Sequence, residues 1–339
     1  MFRLDRIAIV MMSAIGDAVH VLPIVNAIKR HSPRSRITWF LAPRPATLVH
    51  GHPAVDEIIE FSARGGLAAW RQMRRSLQSR QFDLLLDFQV AIKAGLLTSL
   101  VDAPVKVGFD RRRARDLNWI FTNHKIPPHA NQHVQDQYFE FLDYIGVPHE
   151  RVEWGLGPWP SEAGTLERLL PDAPKRFASI AVATSKPDKD WPAERWVEVI
   201  DALHAEHGLP SVLVGGRSAV EQAAEETIMA RCRHAPRSTL GCTLREMVSV
   251  LSASTLVLSP DTAPMHIANA LGRPVIALFG ATDPRRTGPY GTSQELVVNA
   301  FRNPDDPPEI IMDRRPGRVK TIRVEDVLAK VDLWRRTPS

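Results

Sequence analysis

Cysteine is nearly absent from the chain: Cys232 and Cys242 are the two in 339 residues. They share no CxxC spacing and no histidine partner pattern, which excludes a disulfide framework and a zinc site and makes both reduced thiols. No apolar run approaches the roughly 18 uncharged residues of a membrane-spanning helix. The first apolar stretch, Ile7 to Met12, is too short for a signal peptide, so the chain is expected in the cytoplasm. A strong excess of one charge is also missing, with 43 Lys and Arg against 38 Asp and Glu, a net +5. Such a surplus either keeps the surface solvated or suits an anionic partner, phosphate or an acidic lipid surface. No zinc-finger spacing, aromatic RNA-binding motif or long basic run accompanies it, so nucleic acid is not an expected partner. The turn after the first apolar run lacks G-x-G-x-x-G, and no GKS or GKT follows a glycine loop, which argues against nicotinamide and Walker-type sites.

What is present is a soluble composition, 44% apolar and 24% charged. The length exceeds the roughly 100 to 150 residues usual for one domain, so two domains are expected. Ile7 to Met12 reads as a strand, followed by the turn SAIGD and a helix on which Val19, Leu22, Val25 and Ile28 recur. Strand patterns return at Ile37 to Leu41, Val55 to Phe61, Asp83 to Phe88 and Val105 to Phe109, with helices around Leu67 to Leu77 and His133 to Ile145. Prolines and glycines then interrupt the chain, and the alternation restarts with strands at Phe177 to Thr184, Ser211 to Gly216, Thr255 to Ser259 and Val275 to Gly280. The expected fold is α/β, with two Rossmann-like doubly wound domains facing a central cleft, the place where strand ends collect ligands. The expected boundaries are residues 1–150 for the first domain, 151–175 for a linker and 176–322 for the second domain. A terminal helical segment, 323–339, packs on either domain.

Three strand-end segments carry chemistry. In SAIGD, Gly16 lets backbone approach a ligand, and Asp17 either caps the helix or does chemistry with the same carboxylate. In ATSKPDKDWP, the hydroxyls of Thr184 and Ser185 and the ammonium groups of Lys186 and Lys189 precede a helix opening at Pro192, a combination that suits phosphate; the alternative is a solvated loop. Asp188-Lys189-Asp190 spells a D-x-D, but a lysine between the acids opposes a second cation, so no metal is expected. In SPDTAPMHIANALG, Asp261, Thr262, Ala263 and Pro264 lead into a helix with free N–H groups; Asp261 either caps it or meets a ligand, and His266 is either a core residue or functional. A further glycine-rich loop carries Arg285 and Arg286.

Taken in order, SAIGDAVHVLPIVNAIKR, ATSKPDKDWP and SPDTAPMHIANALGRPVIALFGATDP resemble the heptosyltransferases of glycosyltransferase family 9 across nearly the whole chain. The resemblance implies a GT-B fold with the acceptor on the first half and the nucleotide-sugar on the second. It places Asp17 as general base, with Lys189 also serving the reaction, and Thr184, Ser185 and Lys189 on the donor diphosphate. Asp261, Thr262, Ala263 and His266 fall on the donor-sugar and phosphate loop, Glu221 on the ribose and Cys242 in the loop lining the adenine. Gly16 and Arg115 fall on the acceptor side. Pro264 stands where relatives have a residue with an N–H, and Gln137 stands where the family pattern commonly ends in arginine.

The activity so implied is inverting transfer of heptose from ADP-heptose to an anionic lipopolysaccharide inner-core acceptor, Kdo on lipid A or a heptose. It needs no cofactor and no metal, and peripheral contact with the inner membrane is compatible with it. Two alternatives stay open: a nucleotide-sugar epimerase of the same architecture, and a non-catalytic nucleotide-sugar-binding protein. Whether product formation requires an acceptor separates them.

Overall fold

Continuous apolar runs become strands hidden on both faces, as parallel sheets require. In the computed structural model, which describes residues 2–336, the first sheet comprises β1 (Arg6–Val10), β2 (Arg36–Leu41), β3 (Glu57–Glu60), β4 (Leu84–Asp87), β5 (Val105–Gly108) and β6 (His124–Lys125). They lie parallel in the order β3-β2-β1-β4-β5-β6, with Ile9 of β1 level with Trp39 and Leu86. The second sheet comprises β7 (Ala178–Ala181), β8 (Ser211–Val214), β9 (Arg237–Ser238), β10 (Leu256–Pro260), β11 (Val275–Phe279) and β12 (Val298–Asn299), in the order β12-β11-β10-β7-β8-β9, again parallel. Counted from its own first strand, each sheet has the doubly wound order 3-2-1-4-5-6.

Each sheet organises its own unit, Met1–Ala130 with Val134–Gly155 and Asn131–His133 with Leu156–Ser339. In the first, Ala8, Val10, Phe40, Leu85 and Leu97 share a core. In the second, the helix Ala193–His207 buries Trp196, Val199, Ile200 and Leu203, an i, i+3, i+4, i+7 stripe, and ends where Gly208 turns left-handed at φ 58°. The terminal helix Val324–Arg336, which sequence assigns to neither half, buries Val327 and Val331 in the core of the second unit. Residues 337–339 of the expected terminal segment lie outside the described residues. No described helix is long and apolar enough to cross a membrane.

The Pro- and Gly-rich stretch is tied down by side chains. Asn26 donates to the Glu153 carbonyl at 2.8 Å, and His52 Nε2 lies 2.8 Å from the Trp154 carbonyl. In the other unit, Arg245 makes two 2.6 Å bonds to Glu162, donates to the Leu156 carbonyl at 2.9 Å and lies 3.5 Å over the Trp159 ring.

Candidate functional site

Doubly wound sheets gather ligands at the carboxyl ends of their strands, where the strand order reverses. Here the reversals fall between β1 and β4 and between β7 and β10. All three sequence segments with candidate chemistry start at one of these strand ends.

In the first unit, β1 runs into the turn Met11–Ala14 and the helix Ile15–His31. The N-cap of that helix is Ala14, and Asp17 occupies the third helical position. Asp17 therefore does not cap by the usual route. Its Oδ2 instead accepts the N–H of Ala14 at 2.8 Å, and the Tyr138 hydroxyl lies 3.5 Å from Oδ1. The side chain is half-buried. Gly16 lies in the same first turn.

Arg115 is exposed on a loop held by its own N–H donating to the Val90 carbonyl at 2.9 Å, and its guanidinium forms no ion pair among the described residues. Its neighbours divide by role. Arg113 is spent on Asp110 and Glu140, Arg111 lies 5.0 Å over the Trp119 ring, and Arg112 is exposed. Gln137, at the place of the family's arginine, is buried.

In the second unit, Lys189 pairs with Asp261, bringing the segment after β7 onto the end of β10. The same Asp261 Oδ2 accepts the Thr282 hydroxyl at 2.6 Å, and His266 Nε2 lies 3.8 Å from Oδ1. Burial opposes ionisation of Asp261, but the His266 contact and the Lys189 charge outweigh it and hold the carboxyl well below the usual range. The helix Ala263–Ala270 begins beside this cluster with Thr262 as its N-cap. Asp261 lies one residue before the N-cap, and the Thr262 side chain makes no capping bond. Pro264 contributes no N–H, and the Met265 N–H turns back to the Thr262 carbonyl at 3.1 Å, so Ala263 supplies the backbone donor at this end.

The remaining donor candidates are more engaged. The Thr184 hydroxyl donates to the Lys186 carbonyl at 2.8 Å and its N–H donates to Asp190 at 2.6 Å, while Ser185 is exposed at the turn. The D-x-D carboxylates diverge, since Asp188 pairs with Arg314 and Asp190 holds Thr184. Among the described residues no three His, Cys, Asp or Glu side chains cluster as metal ligands. Glu221 closes a capping box, accepting the N–H of Ser218 at 2.8 Å and of Gly216 at 2.6 Å, and so shapes the turn after β8. Cys242 follows β9, its thiol pushed up to about 11 by burial. Arg285 spends its guanidinium on the carbonyls of Pro308 and Glu309.

Tyr138 beside Asp17 and Thr282 beside Asp261 escaped the sequence reading. Thr282 lies just past a strand end, the one signal that could have flagged it; Tyr138 is mid-helix and carries none.

Residues 70–307 match glycosyltransferase family 9 (heptosyltransferase). The lipopolysaccharide core heptosyltransferase OpsX of Haemophilus influenzae is 31% identical over 86% of this chain and 83% of its own length. Lipopolysaccharide heptosyltransferase 1 of Escherichia coli is 30% identical over 88% of this chain and 94% of its own. Among solved structures, E. coli heptosyltransferase WaaC, with ADP and with ADP-2-deoxy-2-fluoro heptose, superposes at a TM-score of 0.77 with 26% identity, covering 97% of this chain and 99% of that one.

Proposed function

Because the chain belongs to glycosyltransferase family 9, the heptosyltransferase family, we propose that it transfers heptose from ADP-heptose to the lipopolysaccharide inner core, with inversion and without a metal ion. The protein is a glycosyltransferase, and its two doubly wound sheets share the GT-B architecture of the heptosyltransferases it resembles. The observation that carries the finer reading is the meeting of Lys189 and Asp261 at the strand-order reversal of the second sheet, in front of the helix Ala263–Ala270.

A nucleoside diphosphate leaving group gains negative charge as its bond to sugar breaks. An ammonium held in place by a buried carboxylate and the Ala263 N–H offset that charge without reorganising, and the hydroxyls of Thr184 and Ser185 join them, that of Thr184 by leaving the Lys186 carbonyl. The divergent engagements of Asp188 and Asp190 favour assigning this role to Lys189 over a metal ion. On the acceptor, a hydroxyl oxygen bonds to the anomeric carbon, the carbon–diphosphate bond breaks on the opposite face, and the hydroxyl proton passes to Asp17. Arg115 receives the anionic acceptor, Kdo on lipid A or a heptose.

The enzyme works in the cytoplasm, touching the inner membrane. The helix Ile92–Leu100 packs against the turn Asn118–Phe121, which brings the exposed Ile92 and Leu96 near Leu117 (59% exposed) and Ile120 (53%), with Lys93, Arg111, Arg112 and Arg115 on the same segments, a composition suited to an anionic lipid surface.

The test supplies ADP-heptose with a panel of truncated lipopolysaccharide acceptors and analyses the products. ADP release that depends on acceptor and yields a heptosylated, inverted product is expected. Conversion of the nucleotide-sugar without acceptor would make the protein an epimerase or hydrolase, and binding without turnover would make it a carrier.

A further inference from the structure

We propose that Gln89 is a positioning residue for the reaction, fixing the turn that presents Asp17. The inference rests on the reading of Asp17 as general base.

Gln89 lies two residues beyond Asp87, the last residue of β4, next to the end of β1. Its carboxamide holds the turn Met11–Ala14 by a donor and an acceptor together: Oε1 accepts the Met12 N–H at 2.9 Å, and Nε2 donates to the Ser13 carbonyl at 3.0 Å. One residue on, the Ala14 N–H donates to Asp17. The backbone of Gln89 is itself clamped. Its N–H donates to Asp87 Oδ1 at 3.1 Å and its carbonyl accepts Asn118 Nδ2 at 2.6 Å. Asn118 and Thr98 also donate to the fully buried Asp87 Oδ2, at 3.2 and 3.1 Å. Asn118 comes this close because Gly95 faces it; a Cβ there would lie 2.3 Å from Asn118 Oδ1. The next carbonyl, Val90, accepts the Arg115 N–H.

Burial holds Met11 and Met12 but not the outer half of the turn, where the side chains of Ser13 and Ala14 are exposed. Ordering that half costs conformational entropy that core packing does not offset, and what the two Gln89 bonds secure is the direction of the Ala14 N–H. Without Gln89 the Ala14 N–H drifts, and the carboxylate loses its aim at the acceptor hydroxyl.

The experiment measures kcat, donor KM and melting temperature for Gln89→Ala and Gln89→Glu, with Asp17→Asn beside them. Glutamate keeps the length and the bond to Met12 but cannot donate to Ser13 when ionised. For folded Gln89 variants the expected result is a kcat lower by about 10- to 100-fold, the scale of a misplaced catalytic group. Donor KM should stay within about twofold. Folded variants with parent kcat overturn the proposal. So does a loss of kcat that merely follows weaker donor binding and lower melting temperature. If Gln89→Ala fails to fold, Gln89→Glu, which preserves volume, decides. Parent-like turnover in Asp17→Asn removes the base and this inference with it. Turnover lost there but kept in the Gln89 variants removes the Gln89 role alone.

Discussion

Lys189 and Asp261, 72 residues apart in sequence, form an ion pair at the ends of neighbouring strands, with the same carboxylate oxygen taking the Thr282 hydroxyl. The lysine is 16% exposed and the aspartate 7%, so the pair is shielded from the screening that makes surface pairs nearly worthless. It sets where the ammonium sits before any phosphate arrives.

Lys189→Ala should therefore do two things at once. It leaves a buried carboxylate without its cation, at a cost of about 3 kcal/mol, and it removes the charge proposed to meet the leaving diphosphate. Calorimetry with ADP should show affinity lower by about tenfold or more, the equivalent of 1.4 kcal/mol, with acceptor binding unchanged. Lys189→Arg, which restores the charge, should recover most of the melting temperature. Unaltered ADP affinity in the alanine variant would take Lys189 out of the site.

Two buried carboxyls should give the stability profile opposite slopes. Burial raises Asp87 to about 7 against the hydrogen bonds from Asn118, Gln89 and Thr98. The native state thus holds a proton that the unfolded chain has released, and the Asp87 contribution falls as pH rises from about 4 to about 7, then levels. Asp261, held below its ordinary value, contributes stability that is present above about pH 4 and lost as the pH falls further. Asp87→Asn should flatten the fall between pH 4 and 7 relative to the parent in denaturant titrations. Parallel profiles for the two proteins would show that Asp87 does not titrate there.

Sequence exposed the long elements and the strand-end motifs because both leave patterns: apolar runs for β1, β4, β10 and β11, an i, i+3, i+4 stripe for Ala193–His207. The edge strands β6, β9 and β12, two residues each, leave none, since their pairing is set by the neighbouring strand. Asp17 was legible as a carboxylate at a helix start, but its place at the third position behind Ala14 depends on the turn that Gln89 holds from 76 residues away. Arg113 stands in a run of three arginines and differs from the other two through its ion pairs with Asp110 and with Glu140, the latter on a later helix. Contacts between distant segments decide such cases, and one sequence does not display them.

Membrane contact through Leu117 and Ile120 is testable with vesicles of phosphatidylethanolamine alone or with phosphatidylglycerol. The parent should sediment with the anionic vesicles, and less so as salt rises, because screening acts on the arginines. Leu117→Ser with Ile120→Ser should reduce binding several-fold while leaving ADP affinity unchanged. Equal sedimentation of parent and variant would place any membrane contact elsewhere.

Turnover should survive chelation. Lysine, hydroxyls and a backbone N–H do not depend on a divalent ion, so EDTA should leave the rate within about twofold, a change small beside the tenfold that 1.36 kcal/mol of barrier brings. Collapse with EDTA and recovery with magnesium or manganese would return Asp188 and Asp190 to consideration as ligands.

Asp17→Asn separates chemistry from architecture. The Ala14 N–H needs an acceptor at this position, and the carboxamide oxygen of asparagine supplies one, so the first turn of the helix should persist. What asparagine cannot do is take a proton from a hydroxyl at neutral pH. A positioned general base contributes roughly 10² to 10⁴ in rate, so turnover should fall by that factor while melting temperature and ADP affinity stay near the parent values. A folded Asn variant working at the parent rate would refute the mechanism, leaving Asp17 as an arm that holds Ala14. Asp17→Glu adds the complementary measurement. It keeps the base and shifts it by one methylene, so a rate between those of the parent and Asp17→Asn is expected, with the Ala14 bond stretched or re-aimed. Should Asp17→Asn melt much earlier than the parent, the comparison passes to Asp17→Glu at matched stability, where activity no better than in the Asn variant would count against proton transfer at this residue.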